Sequence, residues 1–329
     1  MSFETLMGDE AIALAAVHAG LGGAFAYPGT PSTEIMEYLQ DLASRVAEGK
    51  IPGEKFAAQW VANEKTSYES ALGASFAGKR ALVSMKHVGL NVAADPFVNS
   101  GLVKVNGGLV VVVADDPGMH SSQDEQDSRW LADFARIPCF EPANQQEAYD
   151  MTRVAFDLSE ELEVPVMIRI TTRLAHSRSV VQLADARKGN PIRKPENRMD
   201  WILMPAVARK RWKVVLERQK VLEARSETMQ CNPLTKGGKK LGVITCGLAL
   251  QYYKENLDDY IAANGEAPTH LHVGFYPMPQ QKIRELYAAC DQVLVVEEGY
   301  PLVERLLRGV ILPGKPILGK ESGQIPYDG

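Results

Sequence analysis

Two runs constrain this chain most. Leu109–Ala114 (LVVVVA) and Val164–Ile170 (VPVMIRI) are rich in Val and Ile and apolar on both faces. A strand of that kind must be covered on both sides, as strands inside a parallel sheet are. Further strand-like runs lie at Gly23–Tyr27, Lys55–Ala58 and Ala81–Met85. Helices are expected between them at Gly8–Gly20, Pro31 to about Ala43, Trp60–Ala77, Val92–Val103, Asp124–Phe134 and Gln146–Leu162. This β–α alternation predicts an α/β fold built on a doubly wound parallel sheet. Ligands of such sheets sit beyond the carboxyl ends of the strands. Three loops fall on that rim: Tyr27–Ser32, Lys86–Asn91 and Asp115–Asp124.

Each rim loop has a plain reading and a functional one. In Pro28-Gly29-Thr30-Pro31-Ser32, Thr30 is expected to cap a helix that has Pro31 at its first position. A strand, tight turn and helix N-terminus in succession is an ordinary βα turn, and it is also the geometry that receives an anion. His87 opens the second loop, as a structural imidazole or a reactive one. Asp115 and Asp116 begin the third; two adjacent acids point in different directions, so no metal is expected there. Glu64 precedes a segment in which nine of the thirteen residues Thr66–Gly78 are Ala, Gly, Ser or Thr. The smooth helix this predicts lets a backbone or a flat ligand come close. Glu64 itself is either a charge favoured by the helix dipole or an acid/base group.

The 329 residues are enough for two domains. The expected division is 1–185, an ordered linker with a helix at Met204–Glu227 over 186–240, and a second α/β unit over 241–329. In the last unit the expected elements are strands Leu241–Cys246, His270–Val273 and Gln292–Val296, with helices Ala249–Ala263, Gln280–Ala289 and Pro301–Arg308. Glu297-Glu298 sits at a strand-to-helix turn and reads as capping or interface chemistry. A net charge of −5 leaves no basic surface for nucleic acid. No apolar run reaches the roughly 18 residues of a membrane span, and the acidic N-terminus lacks a secretory core, so a cytoplasmic location is expected. The four cysteines form no CxxC pair and the six histidines no HxxxH pair, so neither an iron–sulfur cluster nor a zinc site is expected on this chain.

The segments AYPGTPSTEI (26–35), WVANEKTSYESALGAS (60–75), MKHVGLNVAADPF (85–97), VVVVADDPGMHSSQDEQDSR (110–129) and VVEEGYPLVERLL (295–307) resemble the alpha subunit of the indolepyruvate ferredoxin oxidoreductases. These belong to the 2-oxoacid:ferredoxin oxidoreductase family of thiamine diphosphate enzymes. The resemblance runs nearly end to end. It implies that 1–185 is a pyrimidine-binding domain and 241–329 a transketolase C-terminal-like domain. The family's alpha subunit continues into a diphosphate-binding domain and a Cys-rich ferredoxin-like domain. The expectation here is a split arrangement, with those parts on another polypeptide.

By motif position the resemblance makes Glu64 the catalytic acid against the aminopyrimidine, with Tyr27, Gly89 and Asn91 beside the cofactor. Thr30, Gly29 and Pro28 would meet the substrate carboxylate, and His87 would donate a proton or orient the substrate. Related pyruvate enzymes carry an Arg near Asp115; its absence argues against pyruvate and fits a larger, aryl 2-oxoacid. Thiamine diphosphate would be shared with a partner chain. Mg²⁺ and iron–sulfur clusters would lie on partner chains, a diphosphate-binding/iron–sulfur subunit and a gamma-type subunit. Ferredoxin would take the electrons and coenzyme A the acyl group. Two alternatives stand beside this: a split, non-oxidative thiamine diphosphate decarboxylase, against which the second α/β unit counts, and a non-catalytic scaffold, against which Glu64, Thr30 and His87 count.

Overall fold

The structure is a computed structural model that describes residues 2–51 and 53–308. The part of the expected 241–329 unit after Arg308 lies outside the described residues. The first half contains β1 (Ser2–Met7), α1 (Gly8–His18), β2 (Leu21–Ala26), α2 (Thr33–Ala47), β3 (Ala57–Trp60), α3 (Glu64–Phe76), β4 (Arg80–Lys86), α4 (His87–Val92), α5 (Ala94–Ser100), β5 (Leu109–Asp115), α6 (Arg129–Ala135), β6 (Cys139–Phe140), α7 (Gln145–Leu162), β7 (Val166–Thr171), α8 (Thr172–His176) and β8 (Arg178–Leu183). The second half contains α9 (Pro205–Thr228), β9 (Leu234–Thr235), β10 (Gly238–Cys246), α10 (Ala249–Asn264), β11 (Pro268–Val273), β12 (Phe275–Tyr276), α11 (Gln280–Ala289), β13 (Val293–Val296) and α12 (Leu302–Arg308).

The main sheet has the order β12-β6-β7-β5-β4-β2-β3. Six of its strands are parallel and β12 is antiparallel to β6. The fold is therefore α/β with a doubly wound sheet. Side chains alternate across it, as a period of two requires. Val110, Val112, Ala114, Ile168 and Ile170 face α1, α2 and α7. Val111, Val113, Val83 and Met85 face α3 and α5, and the core on that side continues into Ile244, Leu271 and Val273 of the second unit. β1 and β8 form a separate antiparallel pair.

Several local expectations need correcting. The second helix begins at Thr33 rather than Pro31, and Ser32 rather than Thr30 is the residue at the cap position. Trp60 belongs to an edge strand, because β3 runs Ala57–Trp60 instead of Lys55–Ala58, and the helix starts only at Glu64. The single helix expected at Val92–Val103 is two short ones, α4 and α5, with the break at Ala93. β1, β6 and β8 carry no strong sequence signal and are set by pairing.

The second unit is a mixed four-stranded sheet, β13-β10-β11-β9. Besides this shared core, two elements join it to the first. One is β12, which leaves β11 and completes the edge of the main sheet. The other is α9, about 36 Å long at 1.5 Å per residue. Its buried stripe is Arg211, Val215, Arg218, Leu222 and Ser226, the three-and-four spacing of one helix face. Arg211 Nε donates to Leu102 O (2.8 Å) and Ser226 bonds the Pro277 carbonyl. The basic run around Arg211 thus serves, in part, this internal contact.

Candidate active site

Sheet register places three segments side by side. Ala26 pairs with Trp60 on one flank and Ser84 on the other. The chain then leaves the sheet at one edge as Tyr27–Ser32, Val61–Glu64 and Lys86–Gly89. The Val61 N–H donates to Ala26 O (2.8 Å) and holds two of them together. Winding proceeds from β2 to β3 on one side and afterwards to β4 on the other. This is the topological switch point at which open α/β sheets take ligands.

Glu64 is the first residue of α3, and Asn63 caps the helix by accepting from the Thr66 N–H (2.9 Å) and hydroxyl (3.1 Å). The Glu64 side chain is 9% exposed. Among the described residues it has no hydrogen bond or ion pair. Gly89 lies directly against it: a Cβ there would sit 2.6 Å from Oε1 and 2.7 Å from Cγ. A side chain at residue 89 would therefore displace the Glu64 carboxylate. Asn91 is exposed; two residues along a helix turn it by about 200°, away from the Gly89–Glu64 contact.

His87 begins α4 and is 1% exposed. Its Nε2 is 3.1 Å from the Asp124 carbonyl. A carbonyl only accepts, so Nε2 carries the proton in the neutral ring and Nδ1 keeps a lone pair. Nδ1 is buried without a partner. The ring is therefore directed to the 115–128 loop rather than hydrogen-bonded to Glu64.

The Tyr27–Ser32 turn is closed on itself. The Gly29 N–H donates to Thr33 Oγ1 (3.0 Å), and the Ser32 hydroxyl donates to Gly29 O (2.8 Å). The Gly29 amide is thus already engaged, contrary to a turn with free N–H groups. Tyr27, Pro28 and Thr30 are exposed. Among the described residues the Thr30 hydroxyl has no partner. Against this turn runs Lys86: a Cβ on Gly29 would be 3.0 Å from Lys86 Cδ and 3.1 Å from Cγ. The Lys86 ammonium has no carboxylate within ion-pair distance among the described residues. Its sequence signal is slight, a cation at a strand end just before His87.

The third loop is committed to structure. Asp115 Oδ2 accepts from Arg169 Nε (2.8 Å) and from Ser128 N–H (3.1 Å). Asp116 takes the Ser121 N–H (2.8 Å) and the Thr172 hydroxyl (2.7 Å). Its carboxyl is held down at about 2: burial acts upward, but the Ser121 N–H and the Thr172 hydroxyl outweigh it.

A carboxylate and a cation at the switch point of such a sheet, with a second α/β unit fused behind, define a class by fold. The chain superposes with TM-score 0.69 on 2-oxoglutarate:ferredoxin oxidoreductase from Magnetococcus marinus, at 18% identity over 89% of this chain and 57% of that one. Residues 14–230 match the family model described as pyruvate flavodoxin/ferredoxin oxidoreductase, thiamine diphosphate-binding. The chain belongs to that family. It is 40% identical over 330 residues to indolepyruvate oxidoreductase subunit IorA of Archaeoglobus fulgidus, covering 98% of this chain and 51% of that protein. It is 37% identical to the subunit of the same name from Methanothermobacter thermautotrophicus, again over 98% of this chain and 51% of the relative. The chain thus spans about half the length of these curated relatives.

Proposed function

We propose that this chain is the pyrimidine-side subunit of a thiamine diphosphate-dependent 2-oxoacid:ferredoxin oxidoreductase acting on an aryl 2-oxoacid such as indolepyruvate. The observation that carries the reading is the unpartnered Glu64 carboxylate seated against Gly89 at the switch point. The residues fit the group. Gly89 leaves room for the Glu64 carboxyl, which has no competing partner, and the small residues after Glu64 give a smooth wall. Bound there, thiamine diphosphate supplies the carbon nucleophile and electron sink that decarboxylation of a 2-oxoacid needs.

This chain's residues then have separable tasks. Glu64 would hold or share a proton with a ring nitrogen of the bound cofactor. Thr30 donates a hydrogen bond to the substrate carboxylate, and Tyr27 and Pro28 shape that end of the pocket. Lys86 supplies the positive charge that carboxylate requires, in place of the Arg that related pyruvate enzymes carry near the sequence position of Asp115. His87 offers a lone pair at Nδ1 in the fixed tautomer that the Asp124 carbonyl sets, and it acts on the loop side of the site. The diphosphate, its Mg²⁺ and the iron–sulfur clusters are assigned to partner chains. The overall reaction is 2-oxoacid + CoA + two oxidised ferredoxins → acyl-CoA + CO₂ + two reduced ferredoxins + H⁺. The aryl preference rests on the similarity to the IorA subunits.

The test is made on the co-purified complex, wild type against Glu64→Gln. Thiamine diphosphate-dependent reduction of a viologen dye is followed with indolepyruvate, phenylpyruvate, pyruvate and 2-oxoglutarate, with and without CoA. The expected result is CoA-dependent reduction with aryl substrates and a loss of about 10²–10⁴-fold in the variant. Equal activity of the variant overturns the role of Glu64. Release of CO₂ without electron transfer identifies a decarboxylase instead.

A further inference from the structure

We propose that Asp9, Glu34 and His176 form a site for one first-row divalent cation, Zn²⁺ or Mn²⁺, beneath the turn that carries Thr30. The three residues come from three elements: the first turn of α1, the first turn of α2 and the end of α8. One ligand atom from each lies within 4.8 Å of the other two, and His176 Nε2 is 3.6 Å from Glu34 Oε2. The sequence alone shows none of this, since the residues share no motif.

The argument starts from Asp9. Its side chain is fully buried, and neither carboxylate oxygen has a hydrogen-bond partner. Glu34 Oε2 beside it is buried and has no hydrogen-bond partner either. Burying carboxylates without a partner is among the costliest arrangements a fold contains. The neighbouring protein groups are already engaged. Arg178 is on Glu10 Oε1 (3.2 Å), and Glu10 Oε2 accepts the Met7 N–H (2.8 Å). The helix N-termini of α1 and α2 contribute only partial positive charge.

A cation bridging the three side chains answers this deficit. One imidazole nitrogen and two carboxylate oxygens form a mixed set that suits Zn²⁺ or Mn²⁺; Mg²⁺ prefers a set of oxygens with retained waters. Access is open: Asp9 is the floor, while the His176 and Glu34 side chains are 36% and 32% exposed. Water from that side completes the coordination. The bound ion would clamp α1, α2 and α8 together in the first turn of α2, two residues beyond Ser32. The proposal is independent of the reaction proposed above.

The experiment uses the full chain, stripped with EDTA and dialysed against Mn²⁺, Zn²⁺ or Mg²⁺. Metal per chain is measured by mass spectrometry, alongside the thermal midpoint. Mn²⁺ is the decisive probe, because the thiols of Cys231 and Cys290, both only partly buried, compete poorly for it. The expected result is about one Mn²⁺ or Zn²⁺ per chain and a midpoint raised by about 4 °C at 100-fold excess over Kd, with a much weaker response to Mg²⁺. Asp9→Asn, which keeps shape and removes charge, and His176→Gln should each weaken binding by about tenfold or more. Glu37→Gln, exposed on the same helix, should bind as wild type does. The proposal fails if wild type binds no stoichiometric metal, or if both triad variants bind it unchanged. It fails equally if Asp9→Asn is more stable than a metal-insensitive wild type, the mark of a neutral Asp9 acid.

Discussion

Glycine 89 shows how much a single residue decides. No unusual backbone angle explains it; the Glu64 carboxylate occupies the space its side chain would need. Gly89→Ala is therefore expected to turn Glu64 aside while leaving the sheet intact. Cofactor affinity of the assembled complex should fall about tenfold or more, with a thermal midpoint within a degree or two of wild type, read by calorimetric titration and unfolding. Lys86 is tested by a different signature. Lys86→Met should raise KM for the 2-oxoacid by about tenfold and change thiamine diphosphate affinity little, whereas Lys86→Arg should recover most of the loss. Loss of kcat alone, with KM unchanged, would sink the carboxylate role. The 2-oxoacid reading also makes Thr30 and Lys86 partners, so their effects should not add.

At the scale of elements, the start of α3 rests on Asn63. Removing its acceptor leaves the Thr66 N–H without its cap partner, so Asn63→Ala should cost about 1 kcal/mol of stability and shift the helix end that carries Glu64. The small sheet carries a pH response. His270 and His272 share the Thr245 hydroxyl (2.9 and 3.0 Å) across β10 and β11, and His270 stacks on Tyr253 at 4.0 Å. Burial first, and for His270 also its neighbour His272, holds both imidazoles down at about 4. The unfolded chain protonates them near 6.5. Their contribution is whole above that pH, falls as the pH drops from about 6.5 to about 4, and is flat below. The slope should approach ~2.7 kcal/mol per pH unit for the two together. Urea unfolding across that range checks it, and His272→Gln should halve the slope.

The whole molecule is tied by a buried ionic network between the two sheets. Arg169 is fully buried and binds Asp115 (2.8 Å), Glu141 and the Glu298 carbonyl (2.8 Å). Arg129 binds Asp127 Oδ1 (2.9 Å), Glu297 (3.1 Å) and the Tyr300 carbonyl (3.0 Å). Burial pushes the Asp127 carboxyl up, but Arg169 and Arg129 outweigh it and hold it below the ordinary range. Glu297 also caps α12 through the Val303 and Glu304 N–H groups, both at 3.1 Å. Replacing Arg169 leaves the buried Asp115 carboxylate without a cation, so Arg169→Met should cost about 3–5 kcal/mol. Because the network spans both units, the variant is expected to unfold in two steps in urea where wild type unfolds in one. A single transition with unchanged midpoint would refute that linkage. No described helix is long and apolar enough to cross a membrane.

What the sequence determined by itself was whatever depends on local periodicity. Val110 to Ala114 must be covered on both faces, so the parallel sheet was legible, and so was the rim on which Thr30 and His87 fall; Glu64 joins it only through the pairing of Trp60 with Ala26. α11 was expected at Gln280–Ala289 and lies there, and the Glu297–Glu298 pair was legible as capping and interface chemistry. Tertiary structure decided whatever depends on proximity between segments far apart in the chain. Pairing alone makes strands of Phe275–Tyr276 and Cys139–Phe140, each too short to carry a period. Contact alone explains why residue 89 is glycine, why Lys86 lies along the Gly29 turn, and why Asp115 answers to Arg169 rather than to a ligand. Asp9, Glu34 and His176 meet for the same reason: separate helices, each placed by its own apolar face, bring their polar ends to one point.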